Sequence, residues 1–220
     1  GIYRIERNLY KTTYGNQLFF EEINHDLGLS FSYGWAFSQE YGIVKKSSLK
    51  NLGEEALQVR IVDGIQNVLP YGVNPMMQNE KSTLLDAYKK NELLEASGLG
   101  LFLLSSVPVD KAEPSEALKA TTIWQTGINV DNHLLSALQL DNFRKGEDLI
   151  SEKDIRAERG AYFIESNLTL EKDDKKSWLF VAEINQGPAK VVALDEWIKQ
   201  AEGLQQAIEK DIQAGTEELI

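Results

Sequence analysis

The stretch LGLSFSYGWAF at residues 27–37 decides the fold. Leu27, Leu29, Phe31, Tyr33, Trp35 and Phe37 take every second position, and Gly28, Ser30, Ser32, Gly34 and Ala36 fill the places between them. Successive Cβ atoms of an extended chain point to opposite sides, so a period of two puts the six large side chains on one face of a strand. A lone hairpin is marginal in water, so a face of that size demands a sheet packed on a second layer. With companion strands around it, this becomes an inner strand with Trp35 in the core. The small-residue face is then where a neighbouring layer or domain would approach.

The companions follow the same logic. Residues 2–22 predict two short strands around the turn at Tyr14-Gly15-Asn16, and residues 41–52 and 56–69 predict a further pair joined at Asn51-Leu52-Gly53. Gly72, Asn74 and Pro75 break the pattern, and residues 78–96 mix helical spacing with strand character near Leu93. Residues 99–109 and 118–128 predict buried strands, the second rich in Thr and carrying Trp124, with a loop of Pro108, Asp110 and Pro114 between them. Residues 131–160 are polar and predict loops and short strands. Residues 162–170 and 177–184 are strong strands joined by a charged hairpin loop. After Gly187-Pro188, apolar residues recur at steps of three and four (Leu194, Trp197, Ile198, Ala201, Leu204, Ile208, Ile212), the stripe of an amphipathic helix that Gly203 would kink or divide in two. The expected class is mostly β, a large antiparallel β-sandwich over residues 1–190, followed at residues 191–220 by a helical linker towards a further domain.

Composition excludes several functions. A net charge of −11 argues against a nucleic-acid partner, because phosphate contacts need clustered Lys and Arg. The longest apolar run, at residues 99–104, is far too short for a membrane span. With no cysteine there is neither a disulfide framework nor thiolate chemistry. Gly1 followed at once by strand-like residues does not read as a natural start, which leaves a removed signal or a larger parent chain open.

Catalytic constellations are equally scarce. His25 and His133 are the only histidines, and neither lies near a nucleophile-elbow sequence. There is no HExxH, no paired-His spacing and no glycine-rich phosphate loop, so neither metal nor cofactor is expected. Trp124, between Thr122 and Thr126, could present a ring face to a sugar, although core burial is the commoner fate of a strand tryptophan. Asn67, Tyr71 and Asn74 surround a Pro-Gly turn and could face a sugar or a neighbouring domain, against the plainer reading of ordinary turn chemistry.

Two stretches carry a family resemblance. Residues 41–73 (YGIVKKSSLKNLGEEALQVRIVDGIQNVLPYGV) and 161–187 (AYFIESNLTLEKDDKKSWLFVAEINQG), followed by the helix, resemble the N-terminal β-supersandwich of cellobiose-phosphorylase-like and related six-hairpin glycosidases of bacteria. The resemblance implies a mutarotase-like sandwich and then, in the same natural chain, an (α/α)6 barrel that holds the catalytic acid; no catalytic residue carries over to this sequence. The expected function is a non-catalytic domain of a glycoside hydrolase or phosphorylase, supporting the barrel, with carbohydrate and a second copy of the chain as further partners. Two alternatives stand beside it. Asn24-His25 is similar to the Asn-His pair of aldose mutarotases, which suggests an epimerase using His25 or His133 with a carboxylate such as Glu22 as acid and base groups. The other is a free-standing carbohydrate-binding module, which requires exposed aromatic rings.

Overall fold

The structure, a computed structural model, describes residues 2–106 and 118–218. In chain order it has β1 (Ile5–Lys11), β2 (Leu18–Asn24), β3 (Leu29–Ser38), β4 (Gly42–Asn51), β5 (Leu57–Val68), α1 (Pro75–Glu80), α2 (Ser82–Asp86), β6 (Lys89–Leu94) and β7 (Leu99–Leu104). There follow β8 (Ala120–Thr126), β9 (Asn132–Leu134), α3 (Leu140–Arg144), β10 (Asp154–Arg156), β11 (Gly160–Leu170), β12 (Lys175–Gln186), α4 (Pro188–Gln200) and α5 (Leu204–Glu217). The loop of Pro108, Asp110 and Pro114, with the end of the strand expected before it, lies outside the described residues.

The protein is a large antiparallel β-sandwich with C-terminal helices. Among the described residues, nine strands form one sheet in the order β1-β2-β3-β4-β12-β8-β7-β6-β10, and β5-β11-β9 form the second. The core between them is built from Leu49, Phe102, Ile123, Trp178 and Phe180 of the large sheet against Tyr162, Ile164, Leu168 and Leu170 of β11. Leu134, Ala161 and Phe163 make a smaller core on the other side of the three-stranded sheet, packed by Leu140 and Phe143.

Two expected hairpins are not hairpins. β4 pairs with β3 and β12 in the large sheet, whereas β5 pairs with β11 in the small one. Likewise β11 and β12 lie in different sheets, so the charged loop between them crosses the sandwich. Both crossings meet at Asn51, a buried residue whose amide donates to the carbonyls of Glu55 (2.8 Å), Leu170 (3.1 Å) and Glu171 (3.1 Å). Its carbonyl Oδ1 accepts from the Gly53 amide at 2.8 Å. A short polar loop reads the same in sequence whether it reverses a strand within one sheet or passes to another; the buried amide makes the crossing affordable by satisfying the carbonyls it would leave bare.

The helical stripe is two helices. Gly203 adopts a left-handed conformation (φ +69°) at the start of α5, a geometry that favours glycine. Leu204, Ile208 and Ile212 of α5, with Trp197 and Ile198 of α4, pack on Ala36, Val44, Leu99, Trp124, Leu179 and Val181 of the large sheet. Asp211 of α5 accepts the Gln39 amide (2.9 Å) and the Ser38 hydroxyl. The small-residue face of β3 is therefore covered in part by the chain's own helix. Its large-residue face is the less protected one: Trp35 is only half-buried, and Phe37 is 72% exposed. Period two assigned these residues to a common face correctly, yet the face carrying Trp35 is not wholly core, because the covering sheet has three strands against nine.

Candidate functional site

The residues around Asn67 form a polar concave surface at a position expected from sequence. Asn67 closes β5 with φ +58°, a left-handed conformation uncommon outside glycine. It lines two cavities, of about 280 and 370 Å³, and Arg159 lines both as well. Between the walls, Lys89 at the start of β6 is almost wholly buried. Its ammonium donates to Gln78 Oε1 of α1 (2.5 Å) and pairs with Asp86 Oδ1 of α2 (2.8 Å). Arg159 Nε lies 3.6 Å from the other Asp86 oxygen. These cations, with the Gln78 amide, hold the Asp86 carboxyl below its usual range against the opposing effect of burial. The arrangement offers amides, a guanidinium and carboxylates to a hydroxyl-rich ligand. Asp86, Lys89 and Arg159 are tied to one another, and none of them is paired as nucleophile and base.

The other residues marked in the sequence fall elsewhere. Asn74 caps α1, its side-chain oxygen accepting from the Met77 amide at 2.7 Å, the plainer of its two readings. Tyr71 is partly exposed and lies under the Lys119 ammonium, 5.1 Å from the ring centre. Trp124 is 2% exposed, edge-on to Trp197 at 5.7 Å, so its face is not offered to solvent. It anchors α4 instead.

The histidines do not meet. His25, after β2, lies 3.1 Å from Glu6 on the surface. His133 of β9 stands edge-on to Tyr162 (ring centres 5.8 Å) and against Gly98, at the β6–β7 turn. β3, β4, β12 and β8 lie between those places in the large sheet, several strand spacings of about 4.8 Å. Burial lowers the His133 pKa to about 4. Glu22 of β2 accepts from Arg7 Nε at 2.8 Å. His25 and His133 therefore do not stand on opposite sides of one sugar.

A second surface was not singled out in the sequence. The short sheet ends at β5, so the inner face of β1–β3 extends beyond its cover. Phe20, Phe31 and Tyr33, half-buried, line a cavity of about 340 Å³ there with Arg7 and Glu22. Phe31 and Tyr33 were visible as large residues on one face; that this face is left open depends on the strand count of the opposite sheet.

No family model and no curated protein matches this sequence. Among solved structures, the chain is similar to a bacterial glucoamylase complexed with acarbose, at 8% identity and a TM-score of 0.49, over 94% of this chain and 27% of that one. It is also similar to a protein assigned as a kojibiose phosphorylase from the human microbiome, at 8% identity and a TM-score of 0.39, over 96% of this chain and 24% of that one. The chain spans about a quarter of each. At this identity the likeness concerns the path of the chain, not its side chains.

Proposed function

We propose that this chain is a non-catalytic sandwich domain of a larger carbohydrate-active enzyme, a glycoside hydrolase or phosphorylase. In that role it supports a catalytic (α/α)6 barrel and lends polar contacts to carbohydrate. The observation that carries the reading is the Asn67 cleft. Hydrogen-bonding amides and a guanidinium converge on two cavities that share Asn67 and Arg159, while Lys89 and Asp86 neutralise each other instead of being poised for proton transfer. Polar groups held in a concave surface fix the orientation of a polar ligand. The helices at residues 188–217, docked on the outer face of the large sheet, would form part of the junction with the barrel. A screen of the purified chain against glycosides and sugar phosphates, with calorimetric titration of the same compounds, tests this. Binding without turnover is expected, and turnover by this chain alone would overturn the non-catalytic assignment.

A further inference from the structure

We propose that the Lys89–Arg159 side of the Asn67 cleft is a subsite for an oxyanion carried on a sugar, a phosphate ester or a carboxylate. The proposal rests on the reading of the cleft as a carbohydrate contact and names the chemistry that the contact selects. The cleft has two unlike halves. Asp86 and Glu158 line the cavity of about 370 Å³. The cavity of about 280 Å³ is lined by Lys89, Arg159 and the amide residues Asn67, Gln78 and Asn79, the rest of its wall is apolar, and it has no carboxylate among the described residues. In a chain of net charge −11, two cations and three amides gathered without an acid mark a place for negative charge.

The backbone puts these groups together. Val68 pairs with Gly160 and Gln66 with Ala161, so Asn67 is the extra residue of a β-bulge, and its left-handed conformation (φ +58°) takes it out of the ladder. A Cβ on residue 160 would lie 2.8 Å from the Val68 carbonyl oxygen, so glycine lets β11 begin hard against the bulge, with Arg159 directly before it. Lys89 is 2% exposed, and Gln78 and Asp86 take two of its three N–H groups. Asp86 balances its charge. Arg159 is the cation left over: its Nε stays 3.6 Å from Asp86, beyond a normal hydrogen bond, and its side chain is 61% exposed. Arg159 donates no hydrogen bond among the described residues, so the planar fork that pairs with two oxygens of a phosphate or carboxylate is uncommitted. A neutral sugar leaves that fork unmatched. An oxyanion matches it, while the amides serve the sugar hydroxyls.

The test is calorimetric titration of the intact chain with glucose, glucose 6-phosphate, glucuronate and inorganic phosphate. It is repeated on Arg159→Gln, on Arg159→Lys and, as a control of equal charge change at an exposed ion pair elsewhere, on Arg144→Gln. Both arginines are largely exposed, and near-ultraviolet circular dichroism checks the fold of each variant. At least one of the two anionic sugars should bind more than tenfold tighter than glucose and than inorganic phosphate. Arg159→Gln should lose that advantage, Arg159→Lys should recover part of it as a point charge without the fork, and Arg144→Gln should leave it unchanged. A preference for glucose 6-phosphate assigns the oxyanion to a phosphate ester, and a preference for glucuronate to a carboxylate; either supports the subsite. Glucose binding as tightly as both anionic sugars would overturn the subsite and leave the proposed function standing. Inorganic phosphate binding as tightly as the sugars would reduce the place to an ion site and overturn it as well, as would an advantage that survives Arg159→Gln. Binding of none of the four would overturn the subsite together with the carbohydrate contact it rests on. Turnover of a bound anionic sugar would instead overturn the non-catalytic assignment and leave the subsite standing.

Discussion

Lys45 of β4 and Asp63 of β5 form an ion pair across the sandwich, Nζ to Oδ1 2.5 Å, with both side chains nearly buried. The other Asp63 oxygen accepts from Trp178 Nε1 at 2.9 Å, and Lys45 also donates to the Gly64 carbonyl at 2.8 Å. One carboxylate thus ties β4, β5 and β12 together at the border between the covered and open parts of the inner face. Removing one partner leaves a buried charge uncompensated, which costs about 3–5 kcal/mol. Asp63→Ala should therefore lower the denaturation midpoint far more than the double variant Lys45→Met/Asp63→Leu. Equal losses in the two, by urea titration, would show that the pair does not act as a unit.

Asn51→Ala should destabilise by more than about 2 kcal/mol, because it strips a donor from three carbonyls at the two crossings, each costly when left bare. A substitution of Gln58, exposed on β5, should change stability by less than about 0.5 kcal/mol. Comparing the two denaturation curves checks the assignment of Asn51 as the hub of the sheet change.

The half-buried His133 sets an acid limit. Its pKa in the fold, about 4, lies below the ordinary value of 6.5, so the unfolded chain binds the extra proton first. The stability it contributes is complete above about pH 6.5 and is lost as pH falls towards 4, roughly 3 kcal/mol in all. His133→Gln should flatten the pH dependence of the unfolding free energy over that window. An unchanged slope would contradict the burial of this imidazole.

Ile208 and Ile212 hold α5 on the sheet, both almost fully buried beside Trp124 and Leu179. Ile208→Ala should cost about 2–5 kcal/mol. Hydrogen exchange should quicken first in α5, and uniform acceleration across the sandwich would show that the helices are not a separable layer.

Much of this fold was legible in the sequence. Period two located β3, β11 and β12, and the three-and-four spacing with Gly203 located α4 and α5. Sheet membership was not, because it is fixed by Asn51, whose burial leaves no mark on a polar loop. For the same reason the Asn67 cleft was half visible: Asn67 stood out as turn chemistry, whereas Lys89 and Asp86 look like any solvated charges until packing buries them. Trp124 and Phe20 illustrate the remaining gap. Each lies in an apolar strand, and only the helices above one and the missing strands above the other decide which is core and which is open.

The most direct test follows a neutral oligosaccharide, mixed with the purified chain, by proton NMR, reading sugar-induced amide shifts and the anomeric and product signals in one sample. A carbohydrate-contacting domain without catalysis should give saturable protein shifts while the sugar stays intact and its anomers equilibrate at the uncatalysed rate. Accelerated anomer exchange, or the appearance of cleaved product, would contradict it.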